Sequence, residues 1–354
     1  MRIDRQSAFS GTADSDLPLA NLQDWLACNI KGFAGRLAVR RFKGGQSNPT
    51  YLLDTPQRRY VLRRKPSGKL LPSAHAIERE FRVTRALSGA GFPVAAPLAL
   101  CADEAVIGTA FFVMEHAEGR IFWEPHAPGI AAAERAMLFD AMNKTIAQLH
   151  SLDHAVLGLG DFGKPEGYVA RQVARWTRQY RASETEAITE MDDLIAWLPQ
   201  ALPEQTGTAI VHGDFRLDNC IIHPAEPGIL AVLDWELSTL GDPLADFTYH
   251  LMQWFMPVSD SGSGVGSLVG HENDPGIPGI DAYISSYMTR TRRSDLPDLN
   301  VYLAYNFFRL AAILQGILGR VRDGTAANAD AASMAQNVVP LARTAWTFAR
   351  KAGA

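Results

Sequence analysis

The stretch His212-Gly-Asp-Phe-Arg-Leu-Asp-Asn219 decides how the rest of this chain is interpreted. Fifteen positions after Asn219 comes Asp234, inside the apolar run Ile229-Leu-Ala-Val-Leu-Asp-Trp235. Moving a phosphoryl group needs little covalent help from a protein and a great deal of positioning and charge neutralisation. An aspartate, an asparagine five residues later and a second aspartate after a buried strand are the groups this chemistry requires, in the order it requires them.

Each of these three residues has a predicted role. Asp214 is the candidate catalytic base, which orients an attacking hydroxyl and accepts its proton. Asn219 and Asp234 are the candidate ligands of Mg²⁺, which prefers hard oxygen ligands in octahedral geometry. Simpler explanations stay open at this point, because His-Gly-Asp can be an ordinary turn and an aspartate after a strand can cap a helix.

Composition places the chain among ordinary globular proteins. Its 354 residues, 47% of them hydrophobic and 20% charged, suffice for two lobes and a large core. The net charge of −4 and the lack of a basic stripe argue against a nucleic-acid or anionic membrane partner. No run of eighteen apolar residues predicts a membrane span.

The cysteines and the start of the chain favour a cytoplasmic location. Cys28, Cys101 and Cys220 are few and widely separated, as expected in a reducing compartment. Residues 1–19 contain three aspartates and no apolar segment typical of a secretory signal. Residues 1–34 are predicted to form a loose arm followed by one helix. The sequence does not predict the oligomeric state.

Residues 35–116 are predicted to form a small lobe of antiparallel strands with one main helix. Short runs rich in β-forming residues occur at 37–42, 50–54, 59–63, 98–101 and 110–116. The helix is predicted over Ser73 to Ala90, with apolar residues along one face.

Residues 117–354 are predicted to form a larger, mainly helical lobe. Helical patterns cover 131–151, 168–182, 184–198, 236–257, 281–290, 303–318 and 331–349. The Gly-, Ser- and Pro-rich tract at 259–280 is long for a connection and is interpreted either as a mobile lid or as disordered.

With a sheet-rich first lobe, a helical second lobe and the motifs HGDFRLDN and LDWE, the chain resembles the aminoglycoside phosphotransferase-like kinases. Further stretches, including Tyr60-Val-Leu-Arg-Arg-Lys and Phe308-Arg-Leu-Ala-Ala-Ile-Leu-Gln-Gly, resemble the kinase domain that accompanies acyl-CoA dehydrogenase modules. The resemblance implies an α+β, protein-kinase-like two-lobe fold with an antiparallel N-lobe and a mainly helical C-lobe. It also implies that ATP and Mg²⁺ are the cofactors.

The resemblance carries over to particular residues of the nucleotide site. It implies phosphate contacts in the loop between the first two strands, by Ser47, Asn48 and Thr50. Arg63, rather than Lys65, takes the place of the kinase lysine that binds the α- and β-phosphates, with Glu80 as its helix partner.

Two more regions follow from the same resemblance. Backbone groups of Glu115 and Ala117 would hydrogen-bond adenine at the hinge. Arg216, two residues after the base, would stabilise charge on the transferred phosphate, although a solvated loop arginine is an equal alternative. Asp242 and Asp246 are expected to cap the next helix or to brace the catalytic loop rather than to act chemically.

The acceptor is predicted to be a small hydroxylated molecule. The acyl-CoA dehydrogenase association favours an anionic hydroxy acid or a hydroxyacyl-CoA. The same acceptor is favoured by arginines in the final helical part of the chain, namely Arg290, Arg292, Arg293, Arg309, Arg320, Arg322 and Arg343. The alternatives are an aminoglycoside or choline-type kinase and a non-catalytic nucleotide-binding module. A protein kinase is disfavoured because Asp234-Trp-Glu236 stands where protein kinases have DFG. The choice between ATP and GTP stays open.

Overall fold

The α+β fold predicted from the sequence is confirmed in the computed structural model, which describes residues 17–42, 48–66, 76–258, 266–294, 296–323 and 336–354. The strands are β1 (Ala38–Arg41), β2 (Thr50–Asp54), β3 (Arg59–Arg64), β4 (Pro97–Cys101), β5 (Phe111–Glu115), β6 (Ala209–Val211), β7 (Cys220–Ile222), β8 (Ile229–Val232) and β9 (Thr239–Gly241). The helices are α1 (Leu19–Asn29), α2 (Ile77–Gly89), α3 (Ala132–Ser151), α4 (Tyr168–Ser183), α5 (Thr189–Ala201), α6 (Pro243–Leu251), α7 (Ile280–Thr291), α8 (Leu299–Arg322) and α9 (Val338–Lys351).

The chain divides into two compact units, and neither is continuous in sequence. The first unit is Met1–Ile121, Ala155–Leu159 and Cys220–Ser238, and the second is Phe122–His154, Gly160–Asn219 and Thr239–Ala354. The grouping differs from the predicted lobes, which ran without interruption from 35 to 116 and from 117 to 354. The physical reason is that the β7–β8 hairpin joins the first unit through bridges from Val232 to Val94 and from Ile222 to Arg120.

The first unit is built on a five-stranded antiparallel sheet in the order β1-β2-β3-β5-β4. Tyr51, Leu62 and Val113 from its strands are fully buried with Leu22 and Leu26 of α1. Helix α2 packs by Ile77 and Phe81 against Phe112 and Ala110. Because side chains alternate along each strand, one face receives α1 and the other receives α2.

The second unit is mainly helical and is organised around α8. This helix packs against α4, α6 and α9, and Asp298 caps its start by accepting from the backbone N–H of Asn300 at 2.9 Å. By length and composition alone α8 could cross a membrane, but 83% of its most apolar window is buried within the protein. That degree of burial is typical of the core helix of a globular protein.

Two helical predictions are corrected by the structure. The predicted helix 236–257 begins only at Pro243, because residues 235–237 form a 3₁₀ turn and 239–241 pair with β6 as β9. Proline at the first helical position and the Asp242 cap set that start. Helix α5 begins at Thr189 rather than at residue 184.

The tract predicted to be a lid or disordered is partly ordered. Residues 266–279 form turns that pack on the second unit: Leu268 is fully buried and its backbone N–H donates to the Gln253 carbonyl at 2.7 Å. The disorder interpretation is therefore wrong for 266–279. Residues 259–265 lie outside the described residues, as do Ser73 and the paired glycines 44 and 45.

Candidate active site

The loop that carries the candidate base begins directly after β6 and is held by Asp246 of α6. The buried Asp246 carboxylate accepts from the backbone N–H groups of His212 at 2.7 Å and Gly213 at 2.8 Å. His150 contacts the same carboxylate at 3.1 Å. Burial raises the pKa of Asp246, but these hydrogen bonds and the two histidines outweigh burial and hold it below its ordinary value.

Local geometry explains why glycine occupies position 213. Its φ of 84° lies in the left-handed region, where a side chain would be strained. Next to it, the His212 Nδ1 accepts from the backbone N–H of Asp214 at 3.1 Å, so the histidine supports the loop from within. The cap and brace expected of Asp242 and Asp246 are both present, since Asp242 accepts from the Leu244 N–H at 2.9 Å.

The Asp214 carboxylate is surrounded by three donors of the second unit. The Tyr249 hydroxyl donates to Oδ1 at 2.6 Å, and Arg216 Nε lies 3.0 Å from the same oxygen. Asn219 Nδ2 donates to Oδ2 at 3.1 Å and to the backbone carbonyl of Asp214 at 2.9 Å. The structure thus brings together Asp214, Arg216 and Asn219, three of the residues singled out from the sequence.

Tyr249 and Arg309 were missed by the sequence reasoning. The guanidinium of Arg309, on α8, lies 5.0 Å from the centre of the Tyr249 ring and donates to the Gly213 carbonyl at 2.8 Å. Burial raises the pKa of the Tyr249 hydroxyl well above its ordinary value, so it stays protonated and can donate. The spacing of Asp246, Tyr249 and His250 on one helix face was a sequence signal that could have found the tyrosine.

A small cavity adjoins this group in the second unit. Its lining includes Trp123, Arg216, Asp218, Tyr249 and Gln253. Asp218 is ion-paired with Arg216 Nη2 at 3.2 Å. Trp123 is 68% exposed, which makes a large apolar surface available at the rim.

In the first unit, Arg63 of β3 gathers three carboxylates. Its Nε lies 3.0 Å from Glu80 of α2, and its Nη2 lies 2.9 Å from Asp234 and 3.6 Å from Glu236. Lys65 pairs instead with Glu78. The predicted partnership of Arg63 with Glu80 is therefore present, and the alternative lysine has a different partner.

This cluster carries more negative than positive charge. Burial raises the pKa of Glu80 from 4.5 to about 7; Arg63 opposes that shift, while the carboxylates of Asp234 and Glu236 add to it. Asp234 itself has a left-handed backbone, with a φ of 65°. Its side chain is 38% exposed, so its oxygens can reach a cation from solution.

One of the three residues predicted to contact phosphate, Thr50, lies next to Arg63 in the sheet. Thr50 is directly opposite Arg63 across the β2–β3 pair, and its hydroxyl donates to the Asn48 carbonyl at 3.1 Å. Asn48 is buried, at 1% exposure. Ser47 lies outside the described residues.

The predicted hinge residues lie at the end of β5. The backbone N–H of Glu115 donates to the Ala96 carbonyl at 2.9 Å, so the carbonyl is the backbone group that Glu115 can offer to a ligand. Ala117 joins an apolar cluster with Ala95, Ile221, Ala231 and Leu233, the residue directly before Asp234. Such a surface suits the flat, apolar faces of a purine.

Several arginines that suggested an anionic substrate have structural partners. Arg290 binds Asp140 and the side-chain oxygen of Asn143, and Arg309 binds the catalytic-loop backbone. Arg343 lies 3.4 Å from Glu190. These contacts remove much of the support that the arginine count gave to an anionic acceptor.

Relatives of the chain agree with this geometry. The sequence profile of the phosphotransferase enzyme family matches residues 38–264. The chain is 45% identical over 340 residues to acyl-CoA dehydrogenase family member 10 of Mus musculus, a match covering 94% of this chain and 31% of the relative. Family member 11 of Rattus norvegicus is 42% identical, with 94% of this chain and 43% of the relative covered. The chain thus spans less than half the length of these two curated relatives.

Solved structures give the same result. A protein from Ralstonia eutropha, named only as a candidate aminoglycoside phosphotransferase, is 48% identical, has a TM-score of 0.85 and matches over 95% of this chain and 99% of its own. Spectinomycin phosphotransferase in complex with ADP and spectinomycin shares the fold, with a TM-score of 0.60 at 12% identity over 94% of this chain and 98% of its own. The match over residues 38–264 and the relatives at 42% to 48% identity show that the chain belongs to the phosphotransferase enzyme family.

Proposed function

We propose that this chain transfers the γ-phosphoryl group of ATP, with Mg²⁺, to a hydroxyl group of a small molecule. The observation that carries the proposal is the Asp214 carboxylate, which is held by Tyr249, Arg216 and Asn219 on a loop braced by Asp246. A carboxylate fixed in this way is suited to orient an acceptor hydroxyl and take its proton.

The donor set fits Mg²⁺. The Asn219 amide nitrogen is occupied by its two hydrogen bonds to Asp214, so the amide oxygen is the atom that can serve as a ligand. Asp234 contributes a partly exposed carboxylate from the first unit. Both are hard oxygen donors of the kind that Mg²⁺ prefers, and each keeps its predicted role as a metal ligand.

The first unit supplies the features that favour a nucleotide. Arg63, oriented by Glu80, offers a planar cation to phosphate oxygens, and arginine keeps its charge at any working pH. Thr50 lies opposite it in the sheet, and Asn48 and Ser47 keep their predicted roles. The apolar cluster around Ala117, with the carbonyl of Glu115, is the surface that we assign to the base.

For the acceptor, we propose a hydroxy acid or a hydroxyacyl-CoA. Support comes from the relatives named as acyl-CoA dehydrogenase family members. The cavity beside the base adds a second argument, because its described lining has one acidic residue, Asp218, and that residue is paired with Arg216. A polycationic aminoglycoside or choline would favour a pocket with uncompensated acids.

The test is an acceptor screen with purified protein, ATP and Mg²⁺. Hydroxyacyl-CoAs, free hydroxy acids, an aminoglycoside and choline are each supplied, and phosphorylated product is measured by mass spectrometry. We expect phosphorylated product with hydroxyacyl-CoAs and free hydroxy acids. The Asp214→Asn variant should form this product at least about 10³-fold more slowly and should still bind ATP. Full activity of Asp214→Asn would refute the assignment of the base. Transfer to the aminoglycoside alone would instead support the alternative acceptor class.

A further inference from the structure

The hydrogen bonds at Asp214 distinguish its two oxygens. Oδ1 is contacted by the Tyr249 hydroxyl at 2.6 Å and by Arg216 Nε at 3.0 Å, whereas Oδ2 accepts from Asn219 Nδ2 at 3.1 Å. An ionised carboxylate has about four lone-pair sites, two on each oxygen. Oδ1 therefore faces the Tyr249 hydroxyl and the Arg216 cation, and Oδ2 has a lone-pair site that can accept from an acceptor hydroxyl.

The three donors are not equivalent during turnover. Arg216 also pairs with Asp218 and is the residue assigned to the phosphate, and Asn219 is assigned to the metal ion. Either contact can change when the nucleotide and the metal bind. Tyr249 is 8% exposed and has no other role in the proposed reaction.

Tyr249 is itself held in place by a buried cation. Arg309 is 6% exposed, lies 5.0 Å from the ring centre of Tyr249 and binds the Gly213 carbonyl at 2.8 Å. A cation over an aromatic face is attracted by the ring quadrupole, and more strongly where the site is desolvated. One arginine thus contacts both the loop that carries the base and the tyrosine that orients it.

We propose that Tyr249 is a positioning residue: its hydroxyl fixes the Asp214 carboxylate so that Oδ2 faces the acceptor, and Arg309 holds Tyr249 for that purpose. The inference rests on the proposed function. In the step it serves, the acceptor hydroxyl gives its proton to Oδ2, its oxygen bonds to the γ-phosphorus, and the bond from that phosphorus to the ADP oxygen breaks.

The test compares two tyrosine-to-phenylalanine variants. Tyr249→Phe removes the hydroxyl and keeps the ring beside Arg309. Tyr302→Phe is the matched control, because the Tyr302 hydroxyl is also buried and donates to an aspartate, Asp242 Oδ2, at 2.8 Å. Both variants lose one buried hydrogen bond, so a purely structural role predicts similar changes in both.

We expect kcat to fall about 10- to 100-fold in Tyr249→Phe, with the KM for ATP within about twofold of wild type. Tyr302→Phe should keep kcat within about threefold. In an Asp214→Asn background, adding Tyr249→Phe should change the residual rate less than about twofold.

Other results would overturn the inference. A Tyr249→Phe enzyme with wild-type kcat has no need of the hydroxyl, and equal losses of kcat in both variants would indicate general destabilisation. If the wild type transfers phosphate to no acceptor, the proposed function fails, and crystal structures of wild type and Tyr249→Phe then decide the inference separately. An Asp214 carboxylate that rotates or splits between conformers in the variant supports it, and an unchanged carboxylate overturns it.

Discussion

Each unit contains a carboxylate cluster, and the two clusters have opposite electrostatic surroundings. In the donor-rich cluster of the second unit, Asp214 and Asp246 each receive three contacts from backbone, hydroxyl, amide or cationic donors. In the acid-rich cluster of the first unit, the carboxylates of Glu80, Asp234 and Glu236 converge on the single guanidinium of Arg63. The first arrangement fixes the orientation of its carboxylates, and the second concentrates negative charge.

The largest effect on stability is expected from Asp246→Ala in the donor-rich cluster. The variant leaves the backbone N–H groups of His212 and Gly213 buried without their acceptor, which should lower the free energy of unfolding by about 4 kcal/mol, or about 2 kcal/mol for each group. Urea denaturation measures the loss. The control is Asp274→Ala, because Asp274 is exposed and paired with His271, and its loss should cost under about 1 kcal/mol. Equal losses of unfolding free energy in the two variants would contradict the role of Asp246 as the acceptor for these two backbone N–H groups.

Glu80→Gln tests the acid-rich cluster through pH. The pKa of Glu80 is raised to about 7 from 4.5, so the folded protein binds this proton more tightly than the unfolded chain does. Stability from this group is therefore present below pH 4.5 and is lost as the pH rises through 7, by about 3 kcal/mol in total. The free energy of unfolding, measured by denaturation at pH 4.5 and at pH 8, falls between these two pH values. We expect that fall to be about 3 kcal/mol smaller in Glu80→Gln than in wild type. An unchanged difference would show that Glu80 stays ionised.

His250→Asn tests a group of the second unit whose pKa is lowered in the fold, so that its contribution to stability changes with pH in the opposite direction. The Nδ1–H of His250 donates to the Phe215 carbonyl at 3.2 Å, and its Nε2 accepts from the Tyr283 hydroxyl at 2.8 Å. Burial lowers the pKa of His250 from 6.5 to about 4. The neutral imidazole is favoured in the fold, so stability is present above pH 6.5 and is lost by about 3 kcal/mol as the pH falls through 4. The asparagine variant should lose less stability than wild type between pH 7 and 4. If Glu80→Gln and His250→Asn both reduced the change of unfolding free energy over the same pH range, the contrast between the two clusters would be contradicted.

The smallest effect on stability is expected at Trp123, which belongs to neither cluster. Because the side chain is 68% exposed, Trp123→Ala should change the free energy of unfolding by no more than about 0.5 kcal/mol. Loss of its apolar surface beside Arg216 should nevertheless raise the acceptor KM about fivefold. A rise in the ATP KM instead would remove Trp123 from the acceptor site.

Short motifs with a chemical reason for their spacing were predicted well. The loop from His212 to Asn219 lies directly after a short strand, and the Arg63–Glu80 pair, which the family resemblance implied, is present. Asp246 as a brace followed from the same reasoning. These features depend on local sequence and on periodicities of two and 3.6 residues.

Contacts between distant parts of the chain were not predictable. Nothing local distinguishes Arg309, 95 positions after Asp214, from other helical arginines, because its partners come from α6 and the catalytic loop. A count of arginines does not distinguish buried ones from exposed ones. The argument for an anionic acceptor is weaker for that reason. The assignment of 220–238 to the first unit likewise depends on bridges to Val94 and Arg120, which pattern alone does not reveal.

The left-handed backbone at Asp234 limits how this position can change during evolution. At a φ of 65° the residues that fit comfortably are glycine, asparagine and aspartate. Two of these three lack a charge, and neither would disturb the turn that follows β8. A descendant that replaced Asp234 by Asn or Gly would therefore keep this backbone turn and lose the ion pair with Arg63, so the change would act on the guanidinium rather than on the course of the chain.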